Sequence, residues 1–180
     1  NLYVGVSLEE TQVARNSVDE VVEYIVELID EVIESDALPG IISYIYTEQG
    51  RITLPIAKAI KAKALVLAAS PIFNGNTDFS ELIDSDGNFL VSQSYDPNKW
   101  ILAKDALLDA IISAEGNGHG LYEFTTQIPI NGEINDVITQ ELSHRAGITD
   151  PFNSEIVWAF EPAWTGDLQQ WCQPRWTADH

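Results

Sequence analysis

Aromatic and polar side chains lie close together near the carboxyl end of the chain, in a stretch without regular periodicity. Trp164, Trp171 and Trp176 are the tryptophans of this stretch, with Gln170 beside Trp171 and Arg175 beside Trp176. Sugar rings stack their apolar C–H faces on indole, while amide and guanidinium groups bond the hydroxyls. These five residues are therefore the candidate ligand-binding set, for a neutral oligosaccharide. The alternative is that the tryptophans pack against another part of a longer chain.

Other residue types that carry chemistry are scattered along the sequence. The segment 84–88, Asp-Ser-Asp-Gly-Asn, resembles part of a calcium loop but lacks the third ligand and the closing Glu, so a polar turn is favoured. His119 and His144 have no second His or Cys at metal-ligand spacing. Ser70 is not in a nucleophile elbow. We therefore expect no metal, no cofactor and no catalytic residue.

The charge balance is strongly acidic. There are 28 Asp and Glu residues against nine Lys and Arg residues, which gives a net charge of −19. Phosphate backbones and anionic lipid surfaces would be repelled by this charge, so nucleic acid and membrane-surface binding are disfavoured. Pairs of carboxylates arise by chance at this density, so they give little support to a glycosidase.

The remaining composition says little about the compartment. Cys172 is the only cysteine and forms no internal disulfide. No apolar run reaches the roughly 20 residues of a membrane helix, and no signal peptide is present. Because the chain starts at Asn1, contains no Met and stops in a Trp-rich stretch, we expect an excised piece of a longer protein.

A first helix is predicted near residues 17–35. Ser17 and Glu20 have the spacing of a capping box. Apolar residues then recur at steps of three and four, with acidic residues between them, so we expect one apolar stripe laid against a core. The apolar positions are Val18, Val21, Val22, Ile25, Leu28, Ile29, Val32 and Ile33.

Two further helices are predicted near residues 53–70 and 96–115. The earlier one has Thr53 as its N-cap and Pro55 in its first turn, and its many alanines predict close neighbours on more than one face. Lys58, Lys61 and Lys63 are expected to form a narrow exposed strip. The later helix opens with Asp96-Pro97.

After these helices the sequence is mixed. Residues 121–125 and 156–160 are predicted as short strands, residues 133–142 as a helix, and the rest of 116–180 as loop. Trp100 and Trp158 fall in periodic elements and are assigned to the core. The helices, spaced on the order of 40 residues apart, predict stacked antiparallel pairs of the tetratricopeptide type.

The segment 50–76 resembles the SusD/RagB family of outer-membrane nutrient-binding lipoproteins. It has the Gly-Arg-x-Thr start at Gly50, an Ala-rich helix, and the exit Ala-Ala-Ser-Pro-Ile-Phe-Asn-Gly that ends at Gly75. Features on either side agree in order, among them Ala103-Lys104-Asp105-Ala106, Gly120-Leu-Tyr122 and Asn153-Ser-Glu155-Ile-Val-Trp158. The resemblance spans roughly residues 15–160, whereas the N-terminal helices, the large C-terminal segment and the lipobox of the family are absent.

The resemblance implies a mainly α fold, a tetratricopeptide-like superhelix of helical hairpins with long loops and a few short strands. It implies a single domain over residues 1–180, a fragment of a longer chain. It also implies lipid anchoring, through a segment outside this chain, on the outer face of a Bacteroidetes outer membrane. There the protein would capture oligosaccharides, without catalysis, for a SusC-like TonB-dependent transporter. A helical-repeat protein-interaction module and, less favoured, a secreted glycosidase are the alternatives.

Overall fold

The computed structural model describes residues 14–48, 50–125, 136–150 and 153–159. In these ranges the chain is mainly helical, as predicted, and no strand or sheet is present. The described residues belong to two compact units. Unit 1 comprises residues up to Gly40 and Thr53–Asn117, and unit 2 comprises Ile41–Ile52 and the residues from Gly118 onward. The expectation of a single domain stays a prediction.

Unit 1 contains three long helices. They are α1 (Val18–Glu34), α3 (Leu54–Ala69) and α4 (Asn98–Gly116), each within two residues of its predicted bounds. The capping box of α1 is confirmed, since the Ser17 hydroxyl accepts from the Glu20 amide at 3.2 Å and the Glu20 carboxylate accepts from the Ser17 amide at 2.8 Å. Thr53 occupies the N-cap position of α3, but its side chain makes no cap hydrogen bond.

Helix α3 lies between α1 and α4 and runs antiparallel to both. Near the start of α3, Lys58 pairs with Asp109 in the second half of α4. Just after the end of α3, the Asn74 side chain donates to the carbonyl of Asp96, which lies just before α4. Leu54 at the start of α3 donates to the Pro39 carbonyl, which follows the end of α1. These contacts give α3 close neighbours on two sides, as its alanine content predicted.

The core of unit 1 follows a seam of small side chains between α3 and α4. Ala62 and Ala69 of α3 and Ala103 of α4 are almost completely buried, because alanine lets two helix backbones approach closely. Lys58 and Lys61 do not form the exposed strip that was predicted. Each forms an ion pair with a different neighbouring helix. Lys58 pairs with Asp109 of α4, and Lys61 Nζ lies 2.6 Å from Asp30 Oδ1 of α1.

The long connection between α3 and α4 folds back on unit 1. It contains a single turn of 3₁₀ helix (Thr77–Phe79) and places Val91 in the core. The turn at residues 84–88 is confirmed: the Asp84 carboxylate accepts from the amides of Asp86 and Asn88, both at 2.8 Å. The Asn88 side chain adds a third bond at 2.9 Å.

Part of the predicted core is exposed in unit 1. Val21, Leu28 and Val32 of α1 face away from α3, and Trp100 of α4 lies outside the alanine seam. The cause is geometric: the apolar arc of α1 is wider than one neighbouring helix covers, and α4 packs through its small residues. The assignment of Trp100 to the core is therefore wrong.

Unit 2 contains the short helix α2 (Ile45–Glu48) and the helix α5 (Asp136–Thr149). Helix α5 confirms a predicted helix, but it continues seven residues beyond the expected end. The predicted strands are wrong for residues 121–125 and 156–159, which are irregular. Their hydrogen bonds go to scattered partners, as when the Phe124 amide donates to the Ser143 hydroxyl at 2.9 Å, so no ladder forms.

Candidate functional site

The predicted ligand-binding residues all lie outside the described parts of the chain. This applies to Trp164, Gln170, Trp171, Arg175 and Trp176, whose assignment stays a prediction. The described residues nevertheless contain a tryptophan that the sequence interpretation placed in the core. Trp158 of unit 2 is 53% exposed, so that assignment is wrong.

Trp158 is exposed but held in place. Its indole Nε1 donates a hydrogen bond to the main-chain carbonyl of Gly50 at 3.3 Å. Gly50 has a φ of 80°, a left-handed conformation that glycine adopts without the penalty a side chain brings. The bond joins residues 108 positions apart in the sequence. The polar edge of the indole is therefore satisfied by the protein, while about half of the side-chain surface remains open.

The segment that carries Trp158 is anchored by Asn153. This side chain is buried, and its Nδ2 donates to the carbonyls of Gly147 at 2.8 Å and Asp150 at 2.9 Å. Its Oδ1 accepts from the Glu155 amide at 2.9 Å. Asn153 thus satisfies carbonyls at the end of α5 that have no helical partner, and it fixes the direction of the chain toward Trp158.

The loop that accepts the indole bond also carries charged groups. Arg51 follows Gly50 directly, and its guanidinium pairs with the Glu48 carboxylate at 2.7 Å. The Arg51 amide donates to the Glu48 carbonyl at 3.0 Å, which closes the turn after α2. We call Glu48, Gly50, Arg51 and Trp158 the indole corner. It combines an aromatic surface with a hydrogen-bond donor, the Arg51 guanidinium, and an acceptor, the Glu48 carboxylate.

A second aromatic residue of unit 2 is held by an acid. The Tyr122 hydroxyl donates to Asp150 Oδ2 at 2.7 Å. This bond, together with partial desolvation and the negative charge of Asp150, raises the pKa of Tyr122 above its usual value of 10.0. The bond connects residues 120–124 to the end of α5.

The indole corner matches the chemistry of a sugar-binding surface. An exposed indole offers the stacking face, and a guanidinium with a carboxylate offers donors and acceptors for hydroxyl groups. The sequence interpretation missed it because Trp158 was taken as part of a strand. A usable signal was present: Gly50-Arg51 and Asn153 to Trp158 both belong to the segments that carry the family resemblance, and the structure brings them together.

Within residues 14–48, 50–125, 136–150 and 153–159, no group of three or more His, Cys, Asp or Glu side chains could hold a metal ion. No helix in the same ranges is long and apolar enough to cross a membrane.

Comparison with known proteins finds similar solved structures. No protein-family model matches the chain, and no curated protein matches it. Among solved structures, the chain is similar to BT4246 from Bacteroides, with 26% identity over 87% of this chain and a TM-score of 0.70. The selenomethionine form of BT4246 gives 26% identity over 88% and a TM-score of 0.64. The chain spans only 29% and 30% of those two chains.

Proposed function

We propose that this chain belongs to the SusD/RagB family and captures oligosaccharides at a bacterial cell surface without chemically altering them. The observation that carries the proposal is the half-exposed indole of Trp158, fixed through its Nε1 to the Gly50 carbonyl. A rigid aromatic surface loses little conformational entropy when a sugar ring stacks on it. The Arg51–Glu48 pair on the same loop then supplies hydrogen bonds for the hydroxyls.

One further observation supports the family assignment. The residues of the segment 50–76 that resemble the family serve here as framework: the Gly50 carbonyl accepts the indole bond, the alanines form the seam, and Asn74 and Gly75 make the turn after α3. Delivery to a SusC-like TonB-dependent transporter, and lipid anchoring at the outer membrane, follow as further parts of the same proposal.

The experiment is isothermal titration of the full chain against a panel of soluble polysaccharides with different linkages. We expect saturable binding to at least one of them. Trp158→Ala should weaken that binding about fivefold or more, because one stacking contact contributes about 1 kcal/mol. Trp100→Ala is the matched control, since Trp100 is a comparably exposed tryptophan in unit 1.

The same titration tests the residues beyond the described ranges. Single replacement of Trp164, Trp171 or Trp176 by Ala should also weaken binding if these side chains extend the platform. Unchanged affinity in all three variants would remove them from the site. Unchanged affinity in Trp158→Ala would remove the indole corner, and no saturable binding across the panel would contradict glycan capture.

A glycosidase is the enzyme alternative, and it predicts a different result. New reducing ends would accumulate when the same glycans are incubated with the protein. The proposal expects none above the rate of a heat-denatured sample.

A further inference from the structure

Two hydroxyl groups of unit 1 are buried without a hydrogen-bond partner. Thr53 is 4% exposed and Ser113 is 9% exposed. In the part of the chain that the structure describes, Thr53 Oγ1 and Ser113 Oγ are the buried side-chain atoms that bond to no protein group. A buried polar group is unfavourable unless something satisfies it. Each of these two hydroxyls therefore needs a partner that the protein itself does not supply.

The two hydroxyls lie at the same end of the seam between α3 and α4. The ion pair of Lys58 with Asp109 fixes the register of these antiparallel helices. Thr53 precedes Lys58 by five residues and Ser113 follows Asp109 by four, so both lie just over one helical turn beyond the pair in the same direction. Ser113 also follows the buried Ala110 by three residues, which places it on the seam side of α4.

The start of α3 adds a third polar group at this end. Thr53 is the N-cap residue, but its side chain makes no cap hydrogen bond. A capping hydroxyl ordinarily accepts from the amide of the second or third helical residue. The second residue here is Pro55, which has no N–H, and the third is Ile56, which is 3% exposed. The Ile56 amide is therefore a buried donor that the Thr53 side chain does not bond.

Residues of unit 1 close this end of the seam. The Leu54 amide donates to the Pro39 carbonyl at 2.9 Å. The Asn117 side chain donates to the Ser113 carbonyl at 2.7 Å, and its amide oxygen occupies the position that a Cβ on Gly40 would take. Because less than a tenth of either hydroxyl-bearing residue is accessible, another segment of chain has no room to reach the two hydroxyls. A single water molecule is small enough.

We propose that one internal water molecule binds between Thr53 Oγ1, Ser113 Oγ and the Ile56 amide, and caps α3 in place of the threonine side chain. Its oxygen accepts from the Ile56 amide, as the positive end of the helix dipole favours, and its hydrogens bond the two hydroxyl oxygens. Buried waters typically make about three such bonds. A bridging water is nearly as favourable as a direct hydrogen bond, so it satisfies all three groups.

An anion is a poor occupant of the same place. The first cation of α3, Lys58, is already paired with Asp109, and the net charge of the chain is −19. Two neutral hydroxyls need a ligand that both donates and accepts hydrogen bonds, which a chloride ion does not do.

A crystal structure of the full chain tests the proposal directly. We expect an ordered water about 2.5–3.2 Å from Thr53 Oγ1, Ser113 Oγ and the Ile56 nitrogen. A direct bond between Thr53 Oγ1 and either of the other two atoms would overturn the proposal. The absence of an ordered water at this position would overturn it as well.

The variants Thr53→Val and Ser113→Ala test the same site in solution, because each removes one hydroxyl with little change in shape. Each should raise the unfolding equilibrium constant in urea about fivefold or more, since the groups that remain lose a partner. The double variant should have a smaller effect than the two single effects combined, because either change already releases the water. Thr77→Val and Ser80→Ala, at exposed positions of unit 1, are the matched controls and should change the constant less than about threefold.

Three results of these measurements would contradict the bridging water. The first is a chain that is equally or more stable in both single variants, as expected of hydroxyls that bond nothing. The second is full additivity in the double variant, which means that the two hydroxyls do not share a ligand. The third is stability that rises with chloride at constant ionic strength in the unaltered chain but not in Thr53→Val, which would assign the site to an anion.

Discussion

The side chain of Asn74 holds the backbone of Asp96 by two hydrogen bonds. Its Nδ2 donates to the Asp96 carbonyl at 2.9 Å, and its Oδ1 accepts from the Asp96 amide at 2.8 Å. Asn74 is buried at the exit of α3, and Asp96 stands just before α4. One amide group therefore replaces a pair of backbone hydrogen bonds and sets where the second helix of the α3–α4 pair begins.

Replacing Asn74 by Ala should destabilise unit 1 by about 2–3 kcal/mol. The change leaves the amide and the carbonyl of Asp96 without partners at a largely buried position, and each such group costs about 1–3 kcal/mol. Urea unfolding followed by circular dichroism measures the free energy. Asn98→Ala, an exposed asparagine two residues beyond Asp96, should change it by less than about 0.5 kcal/mol. Equal effects of the two changes would contradict the role given to Asn74.

Gly75 and Gly87 both have positive φ, at 81° and 86°, but differ in surroundings. A Cβ on Gly75 would lie 2.7 Å from the Tyr95 backbone nitrogen, whereas nothing lies within 4 Å of one on Gly87. Gly87→Ala should therefore cost about 1–2 kcal/mol from backbone conformation alone. Gly75→Ala should cost clearly more, because a clash with backbone is added. Thermal unfolding of the two variants side by side would reveal the difference, and equal melting temperatures would refute it.

The alanine seam predicts that larger side chains are not tolerated between α3 and α4. Ala62 is 1% exposed, so Ala62→Leu should destabilise the unit by about 1–3 kcal/mol or more through overpacking. Ala59 of the same helix is exposed, and Ala59→Leu should have little effect. Chemical denaturation compares the pair. If Ala62→Leu proves neutral, the close approach of the helices is not real.

Asp84 predicts a pH dependence at the turn 84–88. The side-chain hydrogen bond from Asn88, followed by backbone bonds in the turn, lowers the pKa of the Asp84 carboxyl below its usual value of 3.8. A folded pKa below the unfolded one means that the stabilisation is complete above the unfolded pKa and is lost as the pH falls through the folded value. Carboxyl carbon NMR should find the Asp84 midpoint below 3.8, and Asn88→Ala should raise it. A midpoint that Asn88→Ala does not move would contradict this assignment.

The helices could be predicted because their signals are local. The capping box of Ser17 and Glu20 and the proline at position 55 act within one helical turn, and the bounds of α1 and α3 fell within a residue. What each helix touches is not a local property. The sequence does not indicate which half of the wide apolar face of α1 packs against a neighbouring helix. Lys58 and Lys61 likewise pair with acidic residues that are distant in the sequence and close only in the folded unit.

The indole corner was harder to foresee for the same reason. The short apolar run of residues 156–160 is typical of a buried strand, but a strand needs a partner, and residues 156–159 bond to scattered groups instead. The Gly50 carbonyl that holds the indole is 108 residues away. No periodicity within one segment can reveal such a contact. Likewise, the sequence places Asn74 in the exit segment that ends at Gly75, and only the fold shows its side chain buried and bonded to Asp96.

The position of α3 between two neighbours gives unit 1 an uneven resistance to local opening. Helix α1 has no buried residue and contacts only α3 among the described helices, so we expect its amides to exchange with deuterium faster than those of the α3–α4 seam. Helix α3 has a neighbouring helix on each side, so we expect its amides to exchange more slowly than those of α1. In unit 1, local opening should therefore begin at α1.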